Sequence, residues 1–155
     1  MPSRRRTVRY LLQILGKFPQ IVEEIVILHD PKTDPAETMF DAGQREALEQ
    51  SGLKLRLATR LNDEVGRFDV TYINAIAWVG DGFEVHGSNF QLSSDTDFKE
   101  GSIVLHPLAR GRELCSSLDE TPQNWYFAQA RGAVFLRMAL LTCMVERTDQ
   151  VMDVI

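Results

Sequence analysis

The chain has 155 residues, 44% of them hydrophobic and 25% charged, enough for one domain with a buried core. Its net charge of -5 argues against nucleic acid as a main partner, because a phosphate-binding surface needs a net or local positive field. Cys115 and Cys143 have neither a CxxC nor a metal-ligand spacing, no hydrophobic leader opens the sequence, and no apolar run reads as long enough to span a bilayer. The expected setting is a reducing cytoplasm, with no membrane partner.

Val8, Leu11, Leu12, Ile14 and Leu15 recur at helical spacing, and Gly16 with Pro19 ends the pattern, so the spacing predicts a helix from about Ser3 to Lys17. The cluster Arg4-Arg5-Arg6 reads as its solvated start. Ile25-Val26-Ile27-Leu28 is wholly apolar, the pattern of a strand buried on both faces. Asp34-Pro35 predicts the cap and first position of a second helix that Ser51-Gly52 closes. Leu53, Leu55 and Leu57 alternate with Lys54 and Arg56, as in a strand near a sheet edge. A helical turn around Asn62 to Gly66 leads to a third strand, Val70-Thr71-Tyr72-Ile73. Gly80 to Gly87 reads as a loop, Phe90 to Glu100 as a short helix, Ile103-Val104-Leu105 as a fourth strand, and Trp125 to Glu146 as a long helix.

Strands alternating with helices predict an α/β fold, a three-layer doubly wound parallel sheet of Rossmann-like type. Right-handed crossovers give the simplest strand order as 2-1-3-4, with a switch point between strands 1 and 3. The rim of the expected crevice is His29-Asp30-Pro31, Asn74-Ala75-Ile76 and His106-Pro107-Leu108. No repeat or linker is visible, so residues 1-155 read as a single domain.

The sequence offers little conventional catalytic chemistry. His29, His86 and His106 lack ligand spacing and read as structural or surface histidines. Asp95, Asp97 and Glu100 read as a solvated helix face, and Gly80-Asp81-Gly82 is too short and misplaced for a phosphate loop. No metal, cofactor or catalytic residue is expected.

Three separated motifs carry more information. They are Leu105-His106-Pro107-Leu108-Ala109-Arg110, Trp125-Tyr126-Phe127-Ala128-Gln129-Ala130, and Phe135-Leu136-Arg137-Met138-Ala139-Leu140-Leu141. In order and spacing they resemble the aspartate carbamoyltransferases, a family that includes the ornithine enzymes. Its corresponding text is a His-Pro-Leu-Pro-Arg loop, a Tyr-Phe-x-Gln-Ala segment and a Phe-x-Arg-x-Ala-Leu-Leu helix. Arg6-Thr7-Val8 resembles the start of the helix that opens that family's second, aspartate-binding domain, and the carbamoyl phosphate domain is expected to be absent.

The resemblance implies substrate-binding roles for Arg6, Thr7 and Leu108; Arg137, among Phe135, Met138 and Leu141, also resembles a family position but reads as a member of a structural ion pair. A planar arginine fork suits a dicarboxylate because it donates two parallel hydrogen bonds to one carboxylate. The family's second such arginine, within Tyr-x-Thr-Arg-x-Gln, falls at Ala75, and its glutamine at Ala77; Asn74 stands in place of the threonine. Ala109 replaces the proline whose cis bond turns the leucine carbonyl toward substrate. A cis bond to alanine costs about 3–4 kcal/mol against about 0.5–1 kcal/mol for proline, so Leu108-Ala109 is expected to be trans.

Two functions follow as expectations. One is a non-catalytic paralogue serving as an interaction or regulatory module, with a carbamoyltransferase, another protein or a further copy as partner. The other is the aspartate-binding half of a split transferase, which moves the carbamoyl group of carbamoyl phosphate to an amino acid in pyrimidine or arginine-type metabolism. An amino acid or small anion is the expected ligand in either case. In the closing helix, apolar residues on more than one face predict an exposed patch.

Overall fold

The computed structural model describes residues 6–29, 39–74, 89–108 and 110–147. They fall into two compact units, 1–61 and 62–155.

In the first unit, helix α1 (Arg6–Leu15) lays Leu12 against Ile27, Phe40, Leu48 and Leu53, with Val8 and Leu15 at the margin. It ends at Gly16, where a Cβ would stand 2.8 Å from the Leu48 side chain. Strand β1 (Ile25–Leu28) pairs in parallel with β2 (Leu55–Ala58), and the His29 N–H donates to the Ala58 carbonyl to extend the ladder. Only Ile27 of β1 is fully buried, less than a strand covered on both faces. All four β2 residues are half-buried, and Arg56 is held over the strand by an ion pair with Glu24 at 3.3 Å.

Helix α2 spans only Gln44–Gln50, shorter than the sequence predicts. The expected start at Asp34-Pro35 lies outside the described residues, and residues 39–43 are not helical. Gly43, at φ 72°, stops the helix from extending backward, and the Gln44 side chain caps the chain by accepting from the Asp41 N–H at 3.1 Å.

In the second unit a 3-10 turn (Val65–Arg67) precedes β3 (Val70–Tyr72), which pairs in parallel with β4 (Ile103–Leu105). The observed pairs, β1 with β2 and β3 with β4, are those at the two ends of the order 2-1-3-4. On its other side β4 meets the segment before the last helix. The Val104 N–H donates to Gln123, and the Trp125 N–H to Val104.

The helix expected from Phe90 to Glu100 is not formed. Leu92, fully buried, pairs in a parallel bridge with Leu114. Hydroxyls then take the amides a helix would use: Ser93 N–H donates to Thr96 Oγ1, and Asp95 N–H to Ser93 Oγ. Helix α3 (Tyr126–Glu146) follows a 3-10 turn (Ser116–Glu120) and starts where the sequence places it.

Tyr126 roots α3 in the core, whereas Leu136 is 73% and Val145 75% exposed, and Phe135, Met138, Leu140 and Leu141 are also exposed. This helix corrects the expectation that no apolar run could span a bilayer. Its 21 residues are long and apolar enough by length and composition, because small and apolar residues on every face raise the average despite Arg131 and Arg137.

Candidate functional site

The loop leaving β4 is built around a buried imidazole. His106 and Glu113 both have 0% side-chain exposure, and His106 Nε2 stands 3.1 Å from Glu113 Oε1. The Leu108 N–H donates to His106 Nδ1 at 2.9 Å. An amide can only donate, so Nδ1 is the bare nitrogen and the ring proton sits on Nε2, facing Glu113. Glu113 Oε1 also accepts from the Gly111 N–H at 2.6 Å, and the His106 N–H donates to Gln129 Oε1 of α3 at 2.9 Å. Burial pushes the His106 imidazole below its ordinary value; the Glu113 carboxyl opposes this and the Arg110 charge adds to it. Leu108 has φ 66°, a left-handed conformation that costs a residue with a Cβ roughly 1–2 kcal/mol.

A second cluster ties this loop to the root of α3. Arg110 donates to both oxygens of Asp119, and the Tyr126 hydroxyl donates to the same carboxylate. The Arg110 guanidinium also lies 5.9 Å from the Phe127 ring centroid. Arg110 holds the Asp119 carboxyl below the usual carboxylate range, while burial and Asp119 push the Tyr126 phenol upward.

Asn74 and Leu108 follow the paired strands β3 and β4, so the fold brings them to one edge, with the Ile73 N–H donating to the Leu105 carbonyl between them. Asn74 is half-buried. Arg6 is the first residue of α1 and Thr7 an exposed residue of its first turn, both in the first unit. Ala75, Ala77 and Ala109 lie outside the described residues, and with Ala109 the geometry of its bond to Leu108. His86 lies outside them too.

Arg137, expected in an ion pair, makes none among the described residues, and its stretch of α3 is exposed. Asp95 and Asp97 line an open depression of about 430 Å³ with Gln91 and Ser93. No group of metal-ligating residues occurs among the described residues.

Sequence reasoning missed Glu113, Gln129 and Asp119 as partners of the loop. It also passed over Arg9, which is 6% exposed and bonded to Asp41 at 2.6 Å. Gln129 lay in a quoted motif, but no spacing rule links it to His106.

Comparison with known proteins bears on what this loop belongs to. No family model matches the sequence. The aspartate carbamoyltransferase catalytic subunit of Halorubrum lacusprofundi is 33% identical over 150 residues, covering 93% of this chain and 45% of the relative. That of Alkaliphilus oremlandii is 27% identical over 146 residues, covering 90% and 42%. The chain is an aspartate carbamoyltransferase-like domain.

This domain spans less than half the length of the curated relatives it matches. Its fold is also theirs. A putative aspartate carbamoyltransferase from Leishmania major superposes with a TM-score of 0.76 at 26% identity, over 90% of this chain and 46% of that one. The Trypanosoma cruzi aspartate transcarbamoylase, solved with carbamoyl aspartate and phosphate, gives 0.73 at 24% identity. The carbamoyltransferase-like domain is therefore an α/β unit with parallel strands and a C-terminal helix.

Proposed function

We propose that this carbamoyltransferase-like domain is a non-catalytic interaction or regulatory module in the cytoplasm, with α3 as its contact surface. The exposure of α3 carries the reading. From Val134 to Arg147 every residue is exposed, and the apolar ones lie on all sides rather than in one stripe. A helix apolar all round is normally enclosed. A bilayer is the less favourable enclosure, because each of Arg131 and Arg137 adds roughly 2.5–3.5 kcal/mol at membrane depth. A protein groove can leave both guanidinium groups at its rim.

The substrate-side replacements Ala75, Ala77 and Ala109 support the non-catalytic half of this reading. Losing one charged hydrogen bond to a carboxylate costs roughly 1.5–3 kcal/mol, at least tenfold in affinity. The test is direct: the purified chain forms no carbamoyl aspartate from carbamoyl phosphate and aspartate, and turnover above a blank overturns the reading.

The retained Arg6, Thr7 and Leu108 and the intact closing helix favour a second reading, the aspartate-binding half of a split transferase. Mixing the chain with a separately made carbamoyl phosphate domain then restores turnover, which the first reading forbids.

A further inference from the structure

We propose that His106 is a positioning residue: anchored by Glu113 and bearing its ring proton on Nε2, it holds Leu108 in the left-handed conformation and so fixes where the loop directs the Leu108 carbonyl. The significance of that carbonyl rests on the reading of Leu108 as a ligand-facing position; the clamp itself does not.

Three observations converge on it. Leu108 is the one residue other than glycine with positive φ among the described residues, and a leucine gains nothing from that conformation by itself. Its N–H is taken by His106 Nδ1, two residues back, at 2.9 Å. The opposite ring nitrogen is taken by Glu113, which also gathers the Gly111 N–H, so one carboxyl oxygen braces both the imidazole and the far side of the loop. The Gln129 side chain fixes the main chain of His106 itself. The ring is therefore held at both of its nitrogens, only one of them bare, and the bare one faces the Leu108 amide.

The arrangement works in one protonation state. A proton added to Nδ1 turns the acceptor into a donor opposite another donor, and the Leu108 amide loses its partner. The charged groups facing the ring are Glu113, which favours that proton, and Arg110, which opposes it; Gln129 on α3 is neutral. Burial keeps the ring neutral at ordinary pH, so the clamp is closed at pH 7 and opens on acidification below the usual histidine range.

The experiment is a nitrogen-15 and amide-exchange study of the intact chain without ligand. The expected result is a bare Nδ1 and a protonated Nε2, with the Leu108 amide shift following the His106 titration midpoint. A ring protonated on Nδ1, or a Leu108 amide indifferent to that titration, overturns the proposal. In His106→Asn, whose side-chain amide can place an acceptor near the Nδ1 position, the Leu108 amide stays protected. In His106→Gln, which reaches toward Glu113 instead, it exchanges at least tenfold faster while the Val104 amide stays slow. Equal exchange in the two variants also overturns the proposal.

If either variant fails to fold, Glu113→Gln and the wild-type titration decide. The His106 midpoint falls further when the carboxylate is removed, and an unchanged midpoint counts against the clamp. Ligand titration followed at Leu108 tests the ligand-facing reading separately, since a closed clamp with no ligand response refutes that reading alone.

Discussion

The Arg110 guanidinium meets the Asp119 carboxylate through both terminal nitrogens, at 2.5 and 2.8 Å, and the Tyr126 hydroxyl donates to the same group. The partly buried pair joins the loop after β4 to the first residue of α3, so its loss unmoors both. Asp119→Ala is expected to lower stability by about 1.5–3 kcal/mol, measured by urea unfolding.

The same contact sets an acid limb. Arg110 depresses the folded-state pKa of Asp119 below the unfolded value of about 3.9. The stability it contributes is complete above that value and is lost as pH falls through the folded pKa. A plot of Tm against pH should therefore fall more steeply below about pH 4 in wild type than in Asp119→Asn. Parallel curves would remove Asp119 from the account.

The exposure of α3 predicts a separation between stability and surface. Replacing Leu136 and Leu140 together by Gln should change unfolding free energy by no more than about 0.5 kcal/mol per site, yet reduce binding of an apolar dye such as ANS. A loss of several kcal/mol would mean that α3 packs against the body.

At α1, an anion should bind weakly at the first turn, which holds Arg6 and Thr7 and the positive end of the helix dipole. Calorimetry should show aspartate binding no tighter than a monocarboxylate of similar size. Arg6→Ala should weaken phosphate binding by roughly tenfold or more. A strong preference for aspartate in the unmodified chain would sink the idea.

Leu92 tests the bridge that replaced an expected helix. Fully buried and paired with Leu114, it should cost about 2–5 kcal/mol on truncation to Ala. A solvated helix face there would lose almost nothing.

The elements legible in the sequence were those with long or unbroken apolar patterns. Ile103-Val104-Leu105 and the helix beginning after Trp125 lie where their patterns put them. Residues 90–100 misled because Ser93 and Thr96 look neutral in a helix but take local amides more readily, while the Ser94 N–H donates to the distant Ser117 hydroxyl. The predicted second helix runs too long because no spacing pattern signals that Gly43 adopts a left-handed φ of 72°, so that the helix starts only at Gln44. The site was legible as a motif, Leu108 within its loop, but not as a mechanism. The His106 and Glu113 contact depends on the loop folding back over seven residues, and Gln129 reaches His106 from another element.

The bond from the His106 amide to Gln129 Oε1 makes the turn after β4 and the base of α3 share one hydrogen bond. A partner that rotates or draws out α3 must therefore stretch a link that ends at the loop, and a ligand that reshapes the loop must disturb the seating of the helix. Reciprocity then requires that any factor by which such a partner alters ligand affinity is returned, unchanged in size, on its own.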